Sequence, residues 1–523
     1  MKRLLCVTFS LGLLLFLAFG VLHFASAQSN ANVPAWLPGA WSQALQAPLL
    51  PTILNGGTPA SIPQLSTVPD ASGQISTYEP GGAVTTLGSS GNPFFQSLGS
   101  NGRTCFTCHQ SANGWSVTPR SVQAVYANTK GRDPLFAPVD GSNCPNQGAA
   151  APQPGAQFIA ARSQLFNRGN FRIFLPAPAS HDWVSVTVTK DPTGCELNPV
   201  YGLPAGVLSF YRRPLASANT NFDLPSGGGA AFDIMWDARE PSLQNQFLDA
   251  TMIHAQATPG EAAAVTATVA AQGASFQNGN FTAQSYDLLA GDLTGADGSG
   301  AQGGTTPESA LTAAGVHAPK TPGIAGAALT FDIYNTFTSA SQPWLASARA
   351  SIQRGQNIFN NRTFEITNVR GLNDAKKANP SLGACSTCHN VVDVGNDFFD
   401  TPKDTGVMDS TSNVLPPAPD LPLFTFICPQ GSILFYSNPV TVNGVVYDKY
   451  QTTDPGVGWI TGKCGDLGKM KVPVLRGLAA RAPYFHGGNV SNLLQLVDFY
   501  NQRFNIGLSV QDEQDLVNFL NTL

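Results

Sequence analysis

Apolar and polar positions along this chain fall into several regimes, each predicting a different element. Leu11 to Phe24 is mostly apolar but shorter than the roughly 20 residues a bilayer span needs. It follows Lys2 and Arg3 and ends in Ala25-Ser26-Ala27, so it reads as a secretory signal peptide over 1–27, with an uncleaved anchor as the alternative. Residues 28–91 are rich in Pro, Gly, Ser and Thr without helical periodicity and predict an extended arm, with packed structure beginning near Asn92-Pro93-Phe94-Phe95. Val184 to Thr189 alternate with the period of a strand. Arg354 to Asn360 predicts an amphipathic helix, and the glycine-rich stretch 293–304 a loop between two halves of the chain. Near the end Ser509 can cap a helix, Asp512 and Glu513 suit its first turn, and Leu516, Val517, Leu520 and Leu523 share one face.

Composition narrows the classes. Charged residues make up 12% of the chain, well below the roughly 25% of an average soluble protein. With 52 Gly and 39 Pro, this predicts a loop-rich chain with uncharged polar surfaces. A net charge of -5 and the lack of a basic run exclude nucleic acid as an expected partner. No later segment reads as transmembrane, so no stable span is expected once the signal is removed. The expected location is the periplasm of a Gram-negative cell, or otherwise the extracellular space. A mature chain of this length suggests two or three domains at about 150 residues each.

Two segments carry the chemistry: Cys105-Phe106-Thr107-Cys108-His109 and Cys385-Ser386-Thr387-Cys388-His389. Each is a C-x-x-C-H pentapeptide, the pattern of covalent c-type haem attachment, in which two thiols add across the vinyl groups and the adjoining histidine becomes the proximal iron ligand. A single copy could be a redox dithiol or half a zinc site; two complete copies point to two covalently bound haems. Segment 354–360 then takes the place of the first helix of a cytochrome c unit, and the two halves read as a duplication. The stretch between the motifs is longer than a bare cytochrome c fold needs, so it holds a β-containing insertion. Cys6 leaves with the signal, and Cys144, Cys195, Cys428 and Cys464 remain. In an oxidising compartment the economical pairing is local, Cys144 with Cys195 and Cys428 with Cys464; free buried thiols are the alternative.

Beyond these motifs the chain resembles a family. Met235-Trp236-Asp237-Ala238-Arg239, with Leu243 and Gln246, is similar to the F-W-D-G-R-x-x-x-L-x-x-Q segment of the bacterial dihaem cytochrome c peroxidases and their relative MauG. Lys471 to Leu478, continuing through Ala482-Pro483-Tyr484-Phe485-His486-Gly487-Gly488, resembles the family's K-T-P-x-L-R-N-V and A-P-Y-F-H-D-G. The resemblance implies a mainly α fold of two cytochrome c-type haem domains, 92–345 and 346–523, with loop-rich and β-containing insertions.

It also implies roles. Trp236 would lie between the haems and assist electron transfer. Where the peroxidases have a methionine ligand to the second haem this chain has Tyr500, as MauG does, so Tyr500 is the leading axial ligand opposite His389; His486 is the rival, or a hydrogen-bonding neighbour. The segment in which the peroxidases place a distal histidine reads Phe210-Tyr211-Arg212-Arg213-Pro214-Leu215, without one, which leaves the His109 haem open on that side. The family's catalytic glutamate falls near Gln256, with His254 two residues before it, and an imidazole suits proton transfer at neutral pH. A core or surface histidine is the alternative for His254. His181 and His317 are assigned no role, and of the methionines Met252 is the one expected near haem. The implied activity is that of a peroxidase-like oxidoreductase taking hydrogen peroxide or dioxygen, with a small cytochrome or copper protein as electron donor. Oxidation of an organic or protein substrate, as in MauG or the related rubber oxygenases, and non-catalytic electron carriage are the alternatives.

Overall fold

The computed structural model describes residues 64–79, 91–197, 206–223, 234–295, 306–312, 330–337, 342–390, 394–396, 401–411 and 413–523. The signal segment, most of the glycine-rich loop and His317 lie outside the described residues. The strands are β1 (Leu65–Pro69), β2 (Gly73–Tyr78), β3 (Phe171–Pro176), β4 (Ser185–Lys190), β5 (Val207–Arg212), β6 (Phe281–Asp287), β7 (Gly291–Asp292), β8 (Phe364–Ile366), β9 (Ser381–Gly383), β10 (Leu423–Pro429), β11 (Pro439–Val442) and β12 (Val445–Thr452). The helices that position the site are α1 (Cys105–Cys108), α2 (Pro119–Thr129), α3 (Leu243–Ile253), α4 (Ala267–Gly279), α5 (Pro343–Asn361), α6 (Leu493–Phe504) and α7 (Val510–Leu520).

The architecture is mixed: helices dispersed among small sheets, ordered β1-β2-β6-β7, β11-β12-β10-β4, β3-β5 and β8-β9. This corrects the expectation of a mainly α chain whose β structure is confined to an insertion. Part of the stretch expected as an arm, 64–79, is a hairpin whose second strand pairs with β6 some two hundred residues on. Its pattern hides that role because its buried positions include hydroxyls. Ser76 and Thr77 are buried and satisfied across the sheet, Ser76 Oγ by Ser285 at 2.7 Å and Thr77 Oγ1 by Thr282 at 3.3 Å. Strand β4, expected from the alternation at 184–189, forms but pairs with β10 of the other half, so one sheet joins both halves of the chain.

The expected helix around 354–360 is the end of α5, and it crosses α7, which Ser509 caps with Asp512 in a reciprocal capping box. Ile352 and Phe359 meet Leu516, Phe519 and Leu520 in one apolar cluster. The crossing is close enough to require glycine: a Cβ at Gly355 would sit 1.9 Å from the Asp515 carbonyl oxygen. Asp515 ties the pair, accepting from Ser351 Oγ at 2.5 Å and Arg354 Nε at 2.6 Å. Gly355→Ala gains about 1 kcal/mol of helix propensity, but the overlap is with backbone, which cannot swing aside. A net loss of about 1–3 kcal/mol is expected, read as a lower unfolding midpoint of the holoprotein; an unchanged midpoint would show that the helices separate freely.

Sulfur pairs complete the frame. Cys144 and Cys195 are paired at a Cα–Cα distance of 5.2 Å, and Cys428 and Cys464 at 6.1 Å. No helix among the described residues is long and apolar enough to cross a membrane.

Candidate functional site

The first C-x-x-C-H folds as the single turn α1. Thr104 caps it, its hydroxyl accepting from the Thr107 N–H at 3.2 Å while the Thr107 hydroxyl accepts from the Thr104 N–H at 3.0 Å. One helical turn brings residues three apart to one side, which is how Cys105 and Cys108 come to face the same space. The His109 N–H donates to the Cys105 carbonyl at 3.0 Å, and the ring Nδ1 lies 3.0 Å from the Trp115 carbonyl. A carbonyl only accepts, so Nδ1 carries the proton and Nε2 keeps its lone pair, as iron ligation requires. Trp115 is held in turn by β2, its indole N–H donating to Thr77 Oγ1 at 2.9 Å. The N-terminal hairpin therefore positions His109.

The second motif repeats the device. Cys385–Thr387 is a 3₁₀ turn, the Thr387 hydroxyl accepts from the Ala384 N–H at 2.9 Å, and the His389 N–H reaches the Cys385 carbonyl at 3.0 Å. His389 Nδ1 lies 2.7 Å from the Gly395 carbonyl. Burial pushes His109 down to about 4 and so keeps it neutral, the form that ligates. Burial, then the paired thiol, pushes Cys105 and Cys385 up to about 12. Thiols so placed are poor thiolates, which argues against a reactive redox dithiol.

Each motif opens on a cavity. The first encloses about 1540 Å³ of space between protein atoms, open mouth included, and the second about 1730 Å³. Phe94, Phe171 and Phe247 line the first; Phe359, Phe364 and Phe485 line the second. Two thiols, an adjoining imidazole whose Nδ1 faces a backbone carbonyl and a largely apolar cleft fit a covalently held haem in each.

The cavities share a wall. Arg213, Pro214, Leu215, Trp236, Lys471 and Val474 line both. The Trp236 indole donates to the Arg213 carbonyl at 2.8 Å, and its own carbonyl accepts from the Lys471 N–H at 2.9 Å. Met235 and Ala238 take left-handed φ of 72° and 55°, and the tight turn they make drops Asp237 into the interior. There Arg212 bridges Asp237 and Asp454, reaching Asp454 through Nε at 2.6 Å and a terminal nitrogen at 2.9 Å. Arg239 donates to Asp237 from the other side at 3.0 Å. Burial opposes charge on Asp237, but Arg212 and Arg239 outweigh it and hold the carboxyl below its usual range. Sequence reading missed this clamp, although its signal was visible: an Arg212-Arg213 pair closing an apolar strand in a chain poor in charge. The Arg213 guanidinium is buried against the carbonyls of Val117, Arg481 and Pro483, and burial with the neighbouring Arg481 lowers it to about 9.

His254 ends α3 and lines the first cavity with Leu243, Phe247, Ala250 and Thr251, one face of that helix at spacings of three and four. Its Nδ1 lies 2.5 Å from Asp140 Oδ2. Arg103 pairs with the other Asp140 oxygen and also reaches the His254 carbonyl at 3.2 Å. Burial disfavours the Asp140 anion, but Arg103 and His254 overcome this and hold its pKa below the usual carboxylate range. Neither Asp140 nor Arg103 was identified from the sequence, because an aspartate before glycine in a proline-containing loop reads as a turn residue. Gln256 is exposed with a left-handed φ of 56°, its side chain accepts from Asn101 at 3.3 Å, and it lines neither cavity. Met252 is also corrected: it lies on the outer face of α3, 42% exposed. Met235 lines the first cavity instead, and Met408 and Met470 the second.

Both rivals for the second haem line its cavity. Tyr500 projects from α6, and burial, with lesser contributions from Cys388 and Cys385, raises its phenol. His486 follows the turn at Phe485, is 5% exposed, and its ring centroid lies 5.8 Å from that of Trp236. His486 Nε2 has no hydrogen-bond partner among the described residues; the nearest carboxylate oxygen, on Asp454, is 4.0 Å away. Burial pushes the His486 ring down to about 4. His181 stacks on Trp183 at 4.5 Å, away from both cavities.

No family model matches the chain. It is 32% identical over 93 residues to cytochrome-c peroxidase IdrP1 of Pseudomonas sp. (strain SCT), covering 15% of this chain and 24% of that protein. It is 40% identical over 78 residues to cytochrome-c peroxidase IdrP2 of Denitromonas iodatirespirans, covering 14% of this chain and 21% of that protein. The chain thus spans under a quarter of the length of these relatives. A crystal structure of a MauG-like protein associated with microbial copper homeostasis aligns over 82% of this chain and 87% of that one, with 14% identity and a TM-score of 0.30, too low to carry argument. Over these short stretches the chain is similar to cytochrome-c peroxidases.

Proposed function

We propose that this chain is an exported dihaem c-type oxidoreductase that accepts peroxide at the first cavity, shares the oxidising equivalents with the second, and spends them on an organic or protein substrate. The observation that carries this reading is Trp236, one side chain in the wall of both cavities and hydrogen-bonded through both indole and backbone. Covalent attachment at Cys105, Cys108, Cys385 and Cys388, proximal ligation by His109 and His389, and oxidation of both remaining cysteine pairs to disulfides belong to the same proposal. When bound, haem supplies iron for peroxide to bind and a store of redox equivalents. Reducing one peroxide to two waters takes two electrons and two protons, and the protein must manage the protons. His254 is placed to take one from the incoming peroxide and return it to the leaving oxygen. Phe247 lines the same cavity beside it, and Gln256, on the surface, has no part in this scheme.

Tyr500 favours substrate oxidation over a methionine-ligated peroxidase, because a phenolate oxygen stabilises oxidised iron. The second reading, peroxide reduction fed by a small cytochrome or copper protein, is favoured by the local likeness to two cytochrome-c peroxidases. Adding either reduced donor with peroxide tests the choice: rapid donor oxidation supports the second reading, and a donor left reduced while one equivalent of peroxide takes its two electrons from the protein's own haem centres supports the first. The ligand assignment has its own test. Tyr500→Phe is expected to turn a low-spin ferric signal high-spin, raise the potential of that haem and leave the other nearly unchanged. If His486→Ala does this instead, His486 is the ligand, and an unaltered spectrum in both variants removes the assignment.

A further inference from the structure

We infer that Asp140 is the positioning residue for proton transfer in the first cavity, acting through His254 and held for that task by Arg103; the inference rests on the peroxide reading above. Among the described residues lining this cavity Asp140 is the only carboxylate; of the cationic side chains there, Arg212 and Arg239 are already paired with Asp237, so Asp140 is the carboxylate that faces His254. Its Oδ2 lies 2.5 Å from His254 Nδ1, so a proton on Nδ1 is held there and Nε2 is left as the accepting atom. When Nε2 takes a proton, the imidazolium forms directly against a carboxylate and is stabilised by it.

The carboxylate is itself fixed. Arg103 pairs with Oδ1, and its remaining nitrogens donate to the Pro134 carbonyl at 2.8 Å and the Leu135 carbonyl at 2.9 Å. The His254 carbonyl receives Arg103 at 3.2 Å and Asn101 Nδ2 at 2.8 Å. Arg103 stands two residues before Cys105, so one guanidinium ties the haem-attachment turn, the carboxylate and the end of α3 together. A buried carboxylate that served only to neutralise Arg103 would not also need the imidazole in line.

The test uses holoprotein with both haems counted. Cyanide arrives as HCN and must surrender its proton to bind as the anion, so its association rate reports proton acceptance without turnover. Asp140→Asn keeps the shape and removes the charge. Its cyanide association and peroxide reaction are expected to slow by about 10²-fold, and the pKa seen in the pH profile of either rate should fall because the imidazolium has lost its partner. Asp140→Glu, which keeps the charge, should retain the wild-type pKa with a smaller loss of rate, and it serves should the asparagine variant fail to load haem. In a His254→Gln background Asp140→Asn should add nothing. If His254→Gln slows both reactions but the Asp140 variants leave rate and profile unchanged, this inference is wrong while the proposed function stands. If His254→Gln itself changes neither, the proton role in the proposed function fails first.

Discussion

Cys105→Ala or Cys388→Ala should each compromise one of two haem sites. Wild-type protein, denatured and freed of non-covalent ligands, should retain two haems by intact mass and pyridine haemochrome assay. The physical case lies in the two turns. In each, a threonine hydroxyl accepts a backbone N–H at the head, both thiols border the cleft, and the histidine that follows is locked through Nδ1 onto a backbone carbonyl at 3.0 Å or 2.7 Å. Changing a single thiol leaves the turn intact but removes one of the two bonds that attach the ring. Changing the histidine removes the iron ligand instead, so His109→Ala should leave haem attached with an altered spectrum at that site alone. The cavities are lined mainly by apolar surface, so a site that fails to load exposes a cleft with nothing to fill it, and lower yield of folded protein should accompany loss of haem. One haem per wild-type chain, or haem that acid extracts, would sink the whole reading.

Next in size is the effect of His254→Ala on the reaction with peroxide, a slowing of roughly 10² to 10⁴ in rapid mixing of the ferric protein. The imidazole lines the first cavity at the end of a helix whose inner face it shares with Phe247 and Thr251, and among the described residues no other histidine besides His109 lines that cavity. Arg212 and Arg213 cannot substitute, since a guanidinium in ion pairs or against carbonyls donates but does not accept. Trp236→Phe should behave differently. The apolar ring survives and peroxide should still react, but the indole hydrogen bond to Arg213 is lost and passage of oxidising equivalents to the second cavity should suffer. A protein wholly low-spin and inert to peroxide and cyanide would leave electron carriage as its function. One that reacts while His254→Ala changes nothing would keep the enzymatic reading and return His254 to a structural part.

Sequence alone determined what short-range chemistry dictates. The spacing of Cys105, Cys108 and His109 is legible because one turn must present two thiols and an imidazole to one ring. The capped C-terminal helix and the strand near Val184 are legible for the same reason: a cap or an alternation is a property of neighbours. Only the tertiary structure decided what lies far apart. Asp140 and His254 are 114 residues apart, and no periodic pattern marks either. The hairpin at 65–78 looked like linker because its buried positions include hydroxyls whose partners, Thr282 and Ser285, belong to a distant strand. His254, Met252 and Gln256 were nearly indistinguishable as neighbours in sequence. A helix turns about 100° per residue, and that rotation at the end of α3 put His254 in the cavity, Met252 on the outer face and Gln256 beyond the cap at the surface. Trp236 could be named from its motif, but its place in the wall of both cavities depends on Lys471, more than two hundred residues on, and Arg213 both meeting it, which only packing brings about.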